Sequence, residues 1–182
     1  MNKFVFLLSV VLVTGIANAT EPSMQVKQSR MAIKSLFDQL VGELKTAMKA
    51  GGPVKAIGVC NTKAPEIAAK INVEGNVKVS RVSLKNRNPD NAPSDWQKNV
   101  LLKFESRKAA GEEIKKMDYS ETVGDEFRYM KAIPTNIVCL KCHGSEIDPK
   151  VVAKLDELYP EDKARGYKQG DIRGAFYVTI SK

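Results

Sequence analysis

Apolar residues recur at helical spacing through the first part of the chain. Between residues 22 and 50, one helical face carries Ile33, Leu36, Phe37, Leu40, Leu44 and Met48. The Gly51-Gly52-Pro53 step predicts the end of this long helix and the start of a short one that reaches Val59. Because the residue before a proline is biased away from helix, we expect a break within residues 61–64, before a further helix from Pro65.

The rest of the chain mixes strand patterns with helices. The segments that alternate like strands are 76–84, 115–119, 126–133 and 172–180. Ser94 and Gln97 form a capping box that starts a helix ending near Gly111, and Asp148 caps another helix that reaches Leu158. These strands lack the regular helical crossovers of a parallel sheet. The pattern therefore predicts an α+β domain with an antiparallel sheet flanked by helices.

One charged residue interrupts an apolar face of the first predicted strand. Val77, Val79 and Arg81 alternate and therefore share that face. A charged side chain among apolar ones needs a partner. Arg81 is thus a candidate for binding an anionic group, whereas Arg87, Arg128 and Lys131 are interpreted as surface charges.

The N-terminus has the features of a secretory signal. Lys3 precedes an apolar run from Phe4 to Val13, and Ala17-Asn18-Ala19 has the small-x-small pattern of a signal peptidase site. The apolar run is too short for a permanent membrane span. We predict a signal peptide over residues 1–19, cleavage after Ala19, and a single domain over residues 20–182 in the periplasm. We do not expect an integral membrane protein.

The chain is basic, with 29 Lys and Arg against 21 Asp and Glu. In a cytosolic protein this balance would favour nucleic-acid binding, but the predicted export argues against it. The excess positive charge is either an ordinary solvated surface or a means of steering the protein towards an acidic redox or signalling partner.

The decisive motif is Cys139-Leu140-Lys141-Cys142-His143, which holds two of the three cysteines and the only histidine. Two cysteines three residues apart on a helical turn present both sulfurs on one side, where they can form thioethers to the vinyl groups of a haem. His143 would then be an axial ligand of the iron.

Three other chemistries use the same residues. Zinc could take Cys60 with the motif as a Cys₃His set, although adjacent Cys-His ligands suit one tetrahedral ion poorly. A dithiol redox pair leaves His143 unexplained. A disulfide between Cys139 and Cys142 closes a very small loop and stabilises little. Of these chemistries, covalent haem c best explains Cys139, Cys142 and His143 together.

The second axial position of such a haem has several candidates. They are Cys60, a lysine, water, and the methionines Met24, Met31, Met48, Met117 and Met130. Spacing alone leaves Cys60 and a methionine equally favoured. A thiolate would lower the reduction potential, and a methionine would raise it.

Four stretches together resemble exported monohaem cytochromes c with a PAS-like fold, a domain that also occurs as an extracytoplasmic haem sensor. They are AIGVCNTKAPEIA, RVSLKNRNPDNAPSDWQ, RYMKAIPTNIVCLKCHG and YPEDKARGYKQGDIRGAFYV. The resemblance runs from about Val26 to Ser181. It implies about five antiparallel strands, one covalent haem c on Cys139 and Cys142, and axial ligation by His143 and Cys60. Gln97 departs from the glutamate usual there.

These observations lead to one prediction of function and two alternatives. We predict a periplasmic c-type cytochrome that senses redox state or a small ligand, with Arg81 binding a haem propionate. One alternative is an electron carrier, and the other is a haem-free zinc or thiol protein. No second histidine is available as a distal acid or base, so we do not predict an enzyme.

Overall fold

The computed structural model describes residues 22–73 and 76–181, so the predicted signal peptide lies outside the described residues. Helix α1 spans Met24–Gly58 and is capped by Ser23, whose side chain accepts a hydrogen bond from the Val26 amide. Gly51 and Gly52 inside it have non-helical backbone angles, with φ of −174° and 66°. The predicted stop is therefore present as a kink between two helical parts.

The predicted break before Pro65 is wrong. A π-helical turn over Val59–Lys63 continues α1 directly into α2, which spans Ala64–Val73. The Ala64 amide donates to the Val59 carbonyl five residues back, and Ala64 itself is helical with φ −64° and ψ −43°. A wide π turn relieves the clash that a proline ring makes in an α-helix, so the chain remains helical through Pro65.

Four strands form one antiparallel sheet in the order β1-β4-β3-β2. The strands are β1 Val77–Val82, β2 Asp118–Val123, β3 Glu126–Pro134 and β4 Ile172–Ser181. The expectation of about five strands is therefore wrong for the described chain. Strand β2 also starts later than predicted, because a 3₁₀ turn over Ile114–Lys116 occupies the beginning of the predicted segment.

Three further helices complete the fold. They are α3 Asp95–Ala109, α4 Leu140–His143 and α5 Pro149–Leu158. The predicted capping box of α3 is present, with Ser94 accepting from the Gln97 amide and Gln97 accepting from the Ser94 amide. Asp148 caps α5 as predicted by accepting from the Lys150 amide.

The sheet lies between two helical layers because its side chains alternate. On one face, Val79 and Tyr129 pack against Leu36 of α1 and Ile67 of α2. On the other face, Met130 and Ala175 join a second cluster that includes Phe104 of α3. This three-layer packing positions both sheet faces away from water.

A third, smaller apolar cluster lies at the end of α1. Ile57 packs there with Val151, Leu155 and Tyr159, and Cys142 lies against the cluster. The end of α1, helix α5 and the Cys-x-x-Cys-His motif therefore meet in one place. Across residues 22–73 and 76–181, no helix combines the length and apolar character that crossing a membrane requires.

Candidate functional site

The Cys-x-x-Cys-His motif forms two short consecutive turns. A 3₁₀ turn over Ile137–Cys139 leads into α4, which ends where Gly144 turns extended. Cys139 and Cys142 are half-buried free thiols, as is Cys60. Ile137 and Val138 are 67% and 64% exposed, which is unusual for large apolar residues that precede a buried motif. The motif therefore has two half-buried thiols, and the two apolar residues before it are exposed to solvent.

His143 has one ring nitrogen fixed by the backbone. Its Nδ1 lies 2.8 Å from the carbonyl oxygen of Ala164. A carbonyl can only accept, so Nδ1 carries the proton and Nε2 keeps its lone pair. Burial and the charges of Arg173 and Arg87 lower the pKa of the imidazole well below its usual value. Metal-binding histidines are held in this way, with the second nitrogen donating to a carbonyl.

The loop between α5 and β4 holds the motif in place. The Tyr167 amide donates to the His143 carbonyl at 2.9 Å, and the Gly166 amide donates to the Gly144 carbonyl at 2.8 Å. The Tyr167 ring also meets the imidazole edge-on, with centroids 6.3 Å apart. These contacts fix the orientation of His143.

Arg87 is buried, so its interpretation as a surface charge is wrong. It is only 8% exposed and donates to the Cys142 carbonyl at 2.6 Å. Its Nε pairs with Asp162 at 3.0 Å, and Asp162 also accepts from the Ala164 amide and from Arg165. Through Arg87, the turn rich in Asn and Pro therefore links the motif to the loop that orients His143.

Cys60 lies in the π-helical turn and faces the same region. Burial raises the pKa of its thiol, and the charges of Arg81, Arg87 and Arg173 oppose that effect. Cys60 in turn acts on the pKa of the Cys142 thiol, which burial also raises. The structure therefore brings Cys60 close enough to the motif for their charges to interact, although the motif begins 79 positions further along the chain. π turns of this kind often mark functional sites.

Arg81 occupies the face that its alternation predicts. It is paired with Phe176 across the sheet, next to the Val79–Val178 pair of the apolar cluster. Burial lowers the pKa of its guanidinium, and Cys60 and Tyr159 oppose that effect. Arg128 and Lys131 lie elsewhere. Arg128 pairs with Glu126 at 2.6 Å, and Lys131 donates to the Lys115 carbonyl at 2.9 Å.

Several residues of the site were not recognised in the sequence. Arg173, Asp162 and Tyr167 all lie within YPEDKARGYKQGDIRGAFYV, one of the four stretches that carry the resemblance, but no spacing within it indicated a role for any of them. Ala164 acts only through its carbonyl, which no side-chain pattern can reveal. A signal was the density of charge in the loop before the last strand, where six of the thirteen residues 159–171 are charged, since loops positioned by a rigid scaffold often carry functional residues.

Two of the haem-free alternatives are not assembled in the described chain. Cys139 and Cys142 are not joined to each other or to Cys60. Within residues 22–73 and 76–181, no group of three His, Cys, Asp or Glu side chains could hold one metal ion. The Cys₃His zinc set is therefore not present as a site.

Comparison with known proteins identifies a similar solved structure and a matching family. The chain is similar to the solved "Crystal structure of the cyanobacterial heme-protein Tll0287", with 25% sequence identity and a TM-score of 0.68. The alignment covers 88% of this chain and 97% of that one. No curated protein matches the chain. Residues 11–181 match the Tll0287-like family, which is most of the sequence, and the chain therefore belongs to the Tll0287-like family.

Proposed function

We propose that this protein is an exported c-type cytochrome with a PAS-like domain that binds one haem. Cys139 and Cys142 would form the two thioethers, and His143 would be an axial ligand. The single observation that carries the proposal is His143, whose Nδ1 is fixed by the Ala164 carbonyl beside two free thiols in Cys-x-x-Cys-His spacing. The similar cyanobacterial heme-protein supports the same cofactor.

The surrounding residues suit a haem iron. The Ala164 carbonyl and the Tyr167 ring orient the imidazole, so Nε2 is free to bind. The apolar cluster of Ile57, Val151, Leu155 and Tyr159 packs against Cys142 and so provides an apolar surface beside the motif. A haem held here supplies an iron that changes between the ferric and ferrous states.

We propose Cys60 as the second axial ligand. Cys60 follows Ile57 by three residues in one continuous helical segment, and Ile57 packs in the cluster against which Cys142 lies, which supports this assignment. The methionines fit less well. Met117 and Met130 are fully buried in the cluster on the α3 side of the sheet, and Met24 and Met31 are 82% and 65% exposed. Met48, half-buried in α1, is the remaining methionine candidate and is therefore included in the spectroscopic test.

Redox or small-ligand sensing is the activity that this ligand pair favours. A thiolate stabilises the ferric iron and lowers the reduction potential, so reduction weakens its bond. The π-helical turn that carries Cys60 would then be the part of the chain whose contacts change with the oxidation state of the iron. That change can be passed to a partner protein. We further propose that residues 1–19 direct the chain to the periplasm, where cytochromes c are commonly matured.

The exposed apolar edge of the motif favours electron transfer as a second candidate. Ile137 and Val138 lie beside the first haem-binding cysteine, and the chain carries a net charge of +8. An exposed apolar patch on a chain with net positive charge suits brief docking of an acidic redox partner. A carrier would keep both axial ligands in both oxidation states.

Visible absorption spectra of the ferric and ferrous protein test the proposal. The protein would be exported with a cytochrome c maturation system and compared with Cys60→Ala and, as a matched control, Met48→Ala. We expect wild type and Met48→Ala to have the same haem spectra and Cys60→Ala to differ in the ferric state. A colourless wild type would refute the haem proposal. Identical spectra for all three proteins would refute Cys60 as a ligand and favour the electron carrier.

A further inference from the structure

Three guanidinium groups surround the candidate haem site, and they are not neutralised equally. The positive charges of Arg81, Arg87 and Arg173 each lower the pKa of the Cys60 thiol, against the effect of its burial. Arg87 has a carboxylate partner, because its Nε lies 3.0 Å from Asp162. Within residues 22–73 and 76–181, neither Arg81 nor Arg173 pairs with a carboxylate. The site therefore contains two half-buried positive charges without counterions, and removing such charges from water even in part is unfavourable.

The backbone places Arg173 at this site through an irregularity in the sheet. Ile133 pairs with Gly174 and Pro134 pairs with Ile172, so Arg173 is an extra residue in β4. An extra residue shifts the alternation of a strand. Ile172 consequently packs on the α3 side with Ala175, and Arg173 turns towards the opposite side. Without the bulge, Arg173 would share a face with Ala175 and point away from His143.

Gly174 makes this bulge possible. It has a φ of 151°, and a Cβ there would lie 2.3 Å from the carbonyl oxygen of Val82. A side chain would have to displace the backbone of β1. Bulges that re-aim a side chain are common beside functional sites. The arrangement of Arg173 is thus a specific feature of this strand.

The side chain of Arg173 is fixed on one edge and open on the other. Its Nη1 donates to Ser83 Oγ at 3.1 Å and to the Lys85 carbonyl at 3.2 Å. The guanidinium carbon lies 5.2 Å from the centre of the Tyr167 ring, which itself meets His143. Among the described residues, no group accepts from its Nε or Nη2. A planar guanidinium held in this way can still receive a carboxylate.

We propose that Arg81 and Arg173 are the binding residues for the two propionate carboxylates of the haem. This inference rests on the proposed function, since it requires a haem. Two guanidiniums without carboxylate partners match the two carboxylates of the porphyrin. Binding them would neutralise both half-buried charges, and the two arginines would hold the porphyrin in one orientation.

The test compares mesohaem with mesohaem dimethyl ester. Mesohaem has ethyl groups in place of vinyl groups, so it binds the unaltered apoprotein without thioethers, and the ester lacks both carboxylate charges. Titrations followed at the Soret band would use wild type, Arg81→Gln, Arg173→Gln and the double variant. Arg128→Gln is the matched control, because Arg128 pairs with Glu126 and takes no part in the site. Circular dichroism would check that each variant folds.

We expect the wild type to bind mesohaem at least about tenfold more tightly than the ester. Arg81→Gln and Arg173→Gln should each lower that ratio several-fold, the double variant should bring it close to one, and Arg128→Gln should leave it unchanged. If Arg173→Gln does not fold, Arg173→Lys replaces it and should give an intermediate ratio, because it keeps the charge and loses the planar fork.

The outcomes separate this inference from the proposed function. A wild type that binds mesohaem and its ester equally well would overturn the propionate assignment and leave haem binding intact. A preference for mesohaem over its ester that stays high in the double variant would likewise overturn the propionate assignment and leave haem binding intact. A wild type that binds neither compound, and is also colourless after maturation, would refute the haem proposal itself.

Discussion

At the scale of single residues, the site depends on groups that neutralise or orient others. Arg87 illustrates this, because its side chain is 9% exposed and its partner Asp162 is 1% exposed. It also donates to the Cys142 and Ala164 carbonyls, one within the motif and the other bonded to His143. The loss of a buried ion-pair partner leaves the other charge uncompensated.

We therefore predict that Arg87→Ala lowers the free energy of unfolding by about 3 kcal/mol, the lower end of the range for a broken buried pair, because Arg165 still binds Asp162. Urea unfolding followed by circular dichroism measures it. Lys116→Ala is the control, since it removes a cation from an exposed pair with Glu113 and should cause no measurable change. Equal effects of the two substitutions would contradict the structural role of Arg87.

Asp118 gives a prediction on pH dependence away from the site. Burial alone would raise the pKa of its carboxyl, but hydrogen bonds from Arg30 and Tyr129 outweigh it and lower the pKa below the usual 3.8. A lowered pKa in the folded state stabilises the protein above the unfolded pKa, and that stability is lost as pH falls through the folded one. Wild type should thus exceed Asp118→Asn in stability at pH 7.

The advantage of wild type over Asp118→Asn should shrink progressively below about pH 4, when the carboxyl becomes protonated. Urea unfolding of both proteins at several pH values between 7 and 3 measures the difference. A difference that is constant across this range would show that the charge of Asp118 contributes nothing to stability.

At the scale of secondary-structure elements, two irregularities bring the site together. The π-helical turn places Cys60 within a continuous helical segment, and the β-bulge turns Arg173 towards the same region. Regular helices and strands would place neither residue there. Both irregularities lie next to the candidate site, as such features often do.

The bulge gives a direct test through its glycine. Gly174→Ala would introduce a Cβ 2.3 Å from the Val82 carbonyl at a φ of 151°, so we expect it to lower the free energy of unfolding by about 2 kcal/mol or more. Gly42→Ala is the matched control, because nothing lies within 4 Å of the added atom. In an exposed helix, that change should stabilise the protein by about 0.5 to 1 kcal/mol.

Urea unfolding of Gly174→Ala and Gly42→Ala measures the two changes in the free energy of unfolding. Gly174→Ala should also lower the preference for mesohaem over its ester, since the bulge aims Arg173. A Gly174→Ala protein as stable as Gly42→Ala would contradict the close approach of β4 to β1.

At the scale of the whole molecule, the stable core and the site occupy different parts of the fold. The two large apolar clusters lie on the faces of the sheet, against α1, α2 and α3. The motif instead rests on the smaller cluster at the end of α1 and has Ile137 and Val138 exposed. Segments with few buried apolar contacts open more readily than a core.

We therefore predict that hydrogen exchange separates these two parts. In the haem-free protein, amides of β1, β3 and β4 should exchange slowly, and those of residues 137–144 should exchange at least about tenfold faster. Covalent attachment of haem should slow hydrogen exchange in the motif and should have little effect on exchange in the sheet. Hydrogen-exchange mass spectrometry of both forms measures this. Equal protection of the motif in the two forms would contradict a haem at this site.

The sequence by itself determined the local structure and the chemical motif. The capping residues Ser94 and Asp148, the stop at Gly51 and Gly52, and the alternation that puts Arg81 on an apolar face are all readable, because short-range spacing decides them. The Cys-x-x-Cys-His motif is equally local.

Only the tertiary structure decided the rest. The helical path through Pro65 depends on a wide turn, and Arg173 reaches the site only because strand pairing creates a bulge. The bond from His143 to the Ala164 carbonyl and the burial of Arg87 arise from long-range packing of a loop. Backbone carbonyls and pairing registers leave no mark in residue spacing. The sequence therefore identifies the chemical groups, and the fold decides which of them meet.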